Sequence, residues 1–371
     1  MGLEWMTMKQ EELFDVTIIG GGPAGLYSTF YSGLREMKTK LIEYQPRLGG
    51  KIHVYPEKMI WDVGGVPPVP GEKLMGQLVD QALIFDPTVV LNEKIEAISR
   101  NEAGHFVLQA ASGERHFSKT VIVAVGAGIL NPKRLEIDEA ERFEVANIHY
   151  TVTSLKRFRD RTVLISGGGN TAIDWANELE PIAKKVYMTY RKSEPTGHEA
   201  QVTQLRNSSV RRLPQTMITK LVACENDKKI ESVELTEQVT GEKVEIAVDD
   251  VIINHGYEQD ASLLQESDLN IQMKDDFFIA GNTLCESSVP GLYGAGDIVA
   301  FDGKLNLIAG CFQDAANAVN RAKQFIQPKA EEYAMVSSHN DLFQKRNREL
   351  VEAMMREEGC CKETVGGRSC K

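Results

Sequence analysis

Residues 14–27, FDVTIIGGGPAGLY, constrain this chain more than any other stretch. Val16, Thr17, Ile18 and Ile19 make a β-branched run suited to a buried strand, and the run stops at Gly20, Gly21 and Gly22. Pro23 and Ala24 follow, then Gly25 and an apolar pattern of helical period. Strand, glycine turn and helix start in this order give Gly20-x-Gly22-x-x-Gly25 three separate tasks. Gly20 permits the tight turn, Gly22 lets a pyrophosphate approach the backbone, and Gly25 lets the helix pack closely on its strand. The turn's N–H groups and the helix dipole then favour phosphate charge. Leu41-Ile42-Glu43 reads as the next strand, with Glu43 about 20 residues beyond the turn, where a carboxylate accepts from a ribose 2′-OH.

The arrangement recurs. Residues 161–166 read as a strand, and Gly167-Gly168-Gly169-Asn170-Thr171-Ala172 repeats the turn with Ala in the last place. Residues 174–179 are helical in pattern and 185–190 form the next strand. Its tip carries Arg191-Lys192 where a 2′-OH partner would be acidic. Basic residues there suit a 2′-phosphate, so the second nucleotide reads as NADP(H) rather than NAD(H), the alternative being a solvated basic strand end.

Other segments fall around these two turns. Residues 47–67 are dense in Gly, Pro and aromatics and read as a structured loop, including Gly49-Gly50-Lys51 and Tyr55. Tyr55 is either a stacking partner for a flat aromatic ligand or an ordinary loop anchor. A helix is expected over 71–85 and a strand over 88–91. An antiparallel meander over 95–99, 105–110 and 116–119 follows, then a separate apolar strand over 120–125 that ends in Gly126-Ala127-Gly128. A second meander is expected at 219–223, 232–236 and 243–247, with turns at Asn226-Asp227 and Thr240-Gly241, and a strand at 251–253. His255-Gly256 reads as the return hinge. Residues 290–297 form another buried strand and glycine turn, with Asp297 placed to accept from a cofactor hydroxyl. A long helix over 309–325 carries Gly310 at its start, and its dipole would favour negative charge on a ligand ring. The expected class is therefore α/β, with two Rossmann-like dinucleotide-binding domains, the second inserted into the first, and a small antiparallel meander in each. The first domain takes 14–128 plus 257–328, the second 129–256, and a C-terminal segment 329–371.

Length and charge narrow the function classes. A chain of 371 residues can form two domains, and 42 basic against 53 acidic residues, a net −11, argue against nucleic-acid binding. No 18-residue apolar run occurs, so no membrane span is expected. The first residues do not resemble a secretory signal, and a lipidation pattern at Gly2 fails at Met6. The expected location is cytoplasmic, which suits six cysteines of which only Cys360, Cys361 and Cys370 cluster. That tail follows an amphipathic pattern over 340–358. It is open between a metal-binding or redox arm and a segment without a role, and no zinc spacing fits it.

Taken together, the opening turn with Glu43, the Gly126 turn, the second turn with Arg191, and Leu292-Tyr293-Gly294-Ala295-Gly296-Asp297 resemble the two-dinucleotide flavoproteins of the pyridine nucleotide-disulfide reductase superfamily. Within it the chain most resembles the thioredoxin-reductase-like ferredoxin–NADP reductases of bacteria, over residues 14 to about 343. The stretches that carry this are Leu48-Gly49-Gly50, Tyr55-Pro56-Glu57-Lys58, residues 167–176, residues 179–184 and Gly303-Lys304-Leu305-Asn306-Leu307-Ile308-Ala309. The resemblance implies FAD at Gly20, Gly22, Gly25, Glu43 and Asp297, with Pro23, Ala24, Gly50, Lys51 and Gly126 beside it and Tyr55 against one flavin face. It implies NADPH at Gly169, Asn170, Thr171 and Arg191, with Lys192 adjoining. It also implies a homodimer in which a C-terminal His or aromatic covers the second flavin face. His339 is the nearest candidate, although ungapped matching puts Ser338 there. Lys51 stands where the family usually has Gln.

What is missing sharpens the expectation. Thioredoxin reductases carry Cys-x-x-Cys just before the second turn, where this chain has Tyr150-Thr151-Val152-Thr153-Ser154-Leu155. Relatives acting on small disulfides can carry Cys in the first turn, where this chain has Ala24. With no thiol to relay electrons, the flavin would take hydride from nicotinamide and pass single electrons outward to ferredoxin or flavodoxin. The cofactor supplies that chemistry, so no catalytic residue and no metal ligand is named. Ferredoxins are acidic, so a local basic patch is expected, at Arg157, Arg159 and Arg161 or at Arg206, Arg211 and Arg212. The alternatives are a ferric-chelate or siderophore reductase, a disulfide reductase of the thioredoxin-reductase type, and a nucleotide-binding regulator without turnover.

Overall fold

In a computed structural model, the structure describes residues 12–365 apart from 127, 129, 130, 145, 226, 227, 259 and 261, with the backbone alone at 345, 353 and 357–365. The readings at Gly2 and Met6, at Ala127, at the Asn226-Asp227 turn and at the thiols of Cys360, Cys361 and Cys370 lie outside the described residues. The chain forms two compact units. One is built from the described residues of Met1–Leu48, Leu78–Gly126 and Ser262–Lys371, the other from those of Gly49–Gln77 and Ala127–Ala261.

In the first unit, six strands lie in the order Thr88–Val90, Thr39–Ile42, Leu13–Ile19, Arg115–Val123, Phe106–Ala110, Ile95–Arg100, and Leu292–Gly294 also pairs with Arg115–Val123. Leu13–Ile19 runs parallel to both neighbours, with Ile18 beside Leu41 and Ile122. All three side chains are fully buried, each contributing about 1.5–3 kcal/mol by leaving water. The sequence divides 116–119 from 120–125, but Arg115–Val123 is one strand that runs across the division. Lys119-Thr120 offers no glycine, proline or other turn former, so nothing breaks the run. Along one edge, residues 115–118 pair antiparallel with Phe106–Ala110 and residues 121–123 pair parallel with Leu292–Gly294. The meander is thus an extension of the nucleotide sheet, not a separate layer.

The second unit holds a five-stranded parallel sheet in the order Arg211–Pro214, Lys185–Tyr190, Thr162–Ser166, Asp250–Ile253, Ile148–His149. A separate antiparallel sheet of Thr216–Ala223, Ile230–Glu237 and Lys243–Ala247 forms as the alternating pattern predicts. The edge strand Arg211–Pro214 and the helix Glu199–Asn207 have no counterpart in the sequence reading. In each unit the glycine turn leaves the carboxyl end of a strand whose two neighbours follow it on opposite sides. That is the crevice where open α/β sheets bind ligands.

Sequence order puts residues 49–77 in the first nucleotide unit, yet they pack with the second. Lys58 Nζ donates to Asp174 Oδ2 at 2.5 Å, and the Leu155 N–H donates to Glu57 Oε2 at 2.8 Å. Half-buried Tyr55 packs against the core that includes Trp175 and Ile173.

Candidate functional site

The strand-to-helix geometry of the first turn leaves no room for side chains. Gly20 has φ +107°, and a Cβ there would stand 2.5 Å from the Ala124 carbonyl oxygen. A Cβ on Gly25 would come within 1.8 Å of the Gly20 oxygen, so the helix can sit on the turn only with hydrogen at that place. Gly22 caps the helix Pro23–Leu34 in extended conformation, and Pro23 supplies a first helical residue with no N–H to leave unpaired. Glu43, 7% exposed at the tip of Thr39–Ile42, accepts from the Gly21 N–H at 2.5 Å through Oε2 and from the Gln45 N–H at 2.7 Å through Oε1. A buried carboxylate is thereby fixed against the turn by two charge-assisted bonds, with lone pairs left for a sugar hydroxyl.

Two further turns of the same unit follow Arg115–Val123, the neighbour of Leu13–Ile19, and Leu292–Gly294, which pairs with Arg115–Val123. Gly126 has φ +62°, and a Cβ there would meet nothing within 4 Å. Gly296 has φ +78°, and its Cβ would stand 2.9 Å from that of Ala24, which places the Asp297 turn against the opening helix. Two cysteines sit nearby. Burial and then the charge of Asp297 push the Cys311 thiol up to about 12, while burial and then Asp314 push the Cys285 thiol up as well. Both remain protonated at neutral pH and are poor nucleophiles.

The second turn is looser. Gly167 has φ +149° and faces the Asn254 carbonyl oxygen, 2.4 Å from where its Cβ would be, while a Cβ on Gly169 would meet nothing within 4 Å. Gly169 caps the helix Asn170–Leu179, and Ala172 is fully buried where the first turn needs glycine. Asn170 Oδ1 accepts from the His198 N–H at 3.0 Å, and the Thr196 N–H donates to the Gly168 oxygen at 2.7 Å, so the loop after Lys185–Tyr190 folds back on the turn. Thr171 and Arg191 are exposed, and Lys192 Nζ donates to Thr196 Oγ1 at 3.2 Å. His255, read from sequence only as a hinge, hydrogen-bonds Ser166 Oγ through Nε2 at 2.9 Å. Burial, then the charge of Arg191, lowers its pKa. The available signal was its place just beyond a buried strand beside the glycine turn.

The expected residues therefore divide into two groups. Gly20, Gly22, Pro23, Ala24, Gly25, Glu43, Gly126, Asp297 and His339 are in the first unit, and Gly50, Lys51, Tyr55, Gly169, Asn170, Thr171, Arg191 and Lys192 in the second. Gly50 has φ +58°, and Lys51 Nζ lies 5.7 Å from the centre of the Tyr257 ring. His339 stands exposed in the short turn Ser337–His339. Of the two basic clusters, Arg157 and Arg161 both reach fully buried Asp250, which also bonds His149, whereas Arg211 and Arg212 are exposed on an edge strand. Among the described residues, Glu93, Glu114 and His116 have ligand atoms within 4.8 Å of one another, but Lys40 Nζ, 3.3 Å from His116 Nδ1, already brings a cation there.

Comparison with known proteins agrees with this geometry. The family model described as pyridine nucleotide-disulphide oxidoreductase matches residues 14–322. The chain is 69% identical over 349 residues to a ferredoxin–NADP reductase 1 of Bacillus mycoides, covering 94% of this chain and 100% of that one. It is 67% identical over 348 residues to a ferredoxin–NADP reductase 2 of Exiguobacterium sibiricum, covering 94% and 99%. Among solved structures it resembles a thioredoxin reductase of Lactococcus lactis, with TM-score 0.71, 23% identity and coverage of 84% and 99%. A bacillithiol disulfide reductase of Bacillus cereus matches with TM-score 0.64, 20% identity and coverage of 84% and 100%. At these identities the structures establish the two-unit fold alone.

Proposed function

The chain belongs to the pyridine nucleotide-disulphide oxidoreductase family, and from that premise we propose that it is an NADPH-dependent FAD enzyme that reduces ferredoxin or flavodoxin. The observation that carries this reading is the reversal of charge between two otherwise similar strand tips, buried Glu43 in one and exposed Arg191 in the other. An acid at the tip accepts from a ribose diol, and a guanidinium pairs with a 2′-phosphate. When bound, the flavin supplies the redox chemistry, taking hydride from nicotinamide and releasing electrons singly. The chain's own residues bind and orient. Gly20, Gly22 and Gly25 admit the FAD pyrophosphate, with Glu43 and Asp297 on its hydroxyls. Asn170 and Thr171 open the helix toward the NADPH pyrophosphate, and Arg191 with Lys192 holds its 2′-phosphate.

Sulfur takes no part in the proposed route. Ala24 and residues 150–155 stand where thiol-directed relatives carry cysteine, and Cys285 and Cys311 are buried and protonated. Arg211 and Arg212 are the exposed basic pair that would steer an acidic electron acceptor. The apolar side chains exposed on the C-terminal segment, among them Tyr333, Met335, Val336, Leu342 and Met354, support a homodimer. No helix among the described residues is long and apolar enough to cross a membrane. Anaerobic titration with NADPH, followed by a panel of ferredoxin, flavodoxin, ferric chelates and disulfide substrates, tests the reading. Bleaching of the bound yellow cofactor and fast reoxidation by ferredoxin or flavodoxin are expected. A colourless protein that cannot be reconstituted with FAD, or preferential reoxidation by a disulfide, overturns it.

A further inference from the structure

Near the Asp297 turn lies a buried charge pair that the proposed chemistry does not use. Asp314, in the second turn of the helix Ile308–Ile326, accepts from the Gly296 N–H at 3.0 Å and from Lys304 Nζ at 2.6 Å, both through Oδ2. The two side chains are 6% and 7% exposed, and Lys304 also donates to the Leu305 oxygen at 3.2 Å. Stability alone does not account for such a pair, because apolar residues of similar volume commonly replace a buried ion pair without loss. Charge does serve one end here. A carboxylate with its charge holds an N–H roughly twice as strongly as a neutral acceptor, and Lys304 Nζ at 2.6 Å is its counter-ion. The N–H so held belongs to Gly296, whose positive φ and contact with the Ala24 methyl leave it no side chain of its own to fix the turn. The next residue is Asp297.

We propose that Asp314, with Lys304 as its counter-ion, is a positioning residue that sets the Asp297 turn for its hydroxyl contact with FAD. The assignment rests on the reading of that turn as an FAD contact, and its test separates the two. Asp314→Leu/Lys304→Met removes both charges together, so neither is stranded, while Asp314→Asn/Lys304→Met keeps an oxygen for Gly296. Three quantities are measured on the full chain: the melting temperature of the apoprotein, the affinity for FAD by fluorescence quenching, and the affinity for 2′,5′-ADP by calorimetry. The Leu/Met variant is expected to melt a few degrees below wild type, since the buried Gly296 N–H loses its acceptor, and to bind 2′,5′-ADP unchanged. Its FAD affinity should fall roughly tenfold or more, the scale of one hydrogen bond to a charged group. The Asn/Met variant should recover a large part of that loss, and the visible circular dichroism of bound flavin should change in the first and return toward wild type in the second. Wild-type FAD affinity and dichroism in the Leu/Met variant overturn the assignment. If that variant fails to fold, an undiminished FAD affinity in the Asn/Met variant does the same, and a partial loss there supports it. Failure of the wild-type apoprotein to take up FAD would instead remove the reading on which the assignment rests.

Discussion

The two glycine turns share a plan and differ at two points. In the first, the helix presses so closely on the turn that position 25 tolerates no Cβ, whereas in the second the matching place holds the buried methyl of Ala172. At the strand tip the first has a carboxylate bonded to the turn's own N–H, and the second has exposed arginine with a loop folded over Gly168. The shared part, strand to turn to helix N-terminus, suits a pyrophosphate of any dinucleotide. On the proposed function, the part that differs would select the nucleotide. Backbone geometry and ligand choice would then be carried by different residues and could be altered separately.

Three substitutions test that separation, and a fourth tests the sheet that carries the first turn. Gly25→Ala drives a Cβ against backbone oxygen and should destabilise by about 3 kcal/mol, the upper range for overpacking, read as a lower midpoint in urea. A loss under about 0.5 kcal/mol would mean that the first turn is no tighter than the second. Arg191→Ala should raise the NADPH KM by roughly 30-fold while leaving NADH kinetics alone, since one charge-assisted pair is worth about 2 kcal/mol. Equal effects on both nucleotides would place the selection elsewhere. Ala172→Gly should cost about 1 kcal/mol through backbone freedom in the helix, with nucleotide preference untouched. The smallest effect is expected at His116 on the first unit's sheet, where burial, then the charge of Lys40, lowers the pKa. A depressed histidine pKa gives stability that is full above about 6.5, the unfolded value, and is lost as pH falls through the folded one. Urea midpoints of wild type and His116→Gln should therefore diverge between pH 7 and 5, with wild type losing more; parallel curves would exclude it.

Local chemistry made much of this legible. β-branched runs ending in glycine located both nucleotide turns, and charge at two strand tips distinguished them. The grouping of residues 49–77 with the second unit was not legible, because it depends on Lys58 finding Asp174 across 116 positions of chain. The short strand Arg211–Pro214 was missed because its polar residues show no buried face; its place at a sheet edge explains why they need none. His255 was missed for a related reason. Its partner Ser166 belongs to a strand 89 residues earlier, and only the parallel pairing of Ser166 with Ile253 brings them together. Asp314 likewise reads as one acid in an amphipathic helix until folding sets it against Gly296.

The strand Arg115–Val123 lies beside Leu13–Ile19 from Phe117 onward, and on its other side pairs first with Phe106–Ala110 and then with Leu292–Gly294. Its amides leave the meander no hinge at which to peel away alone. Opening of the ladder between Phe106–Ala110 and Arg115–Val123 therefore disturbs the strand that carries the Gly126 turn, so hydrogens there should exchange together with those of the sheet's centre. Only the edge strand Ile95–Arg100, paired with Phe106–Ala110 alone, can fray by itself.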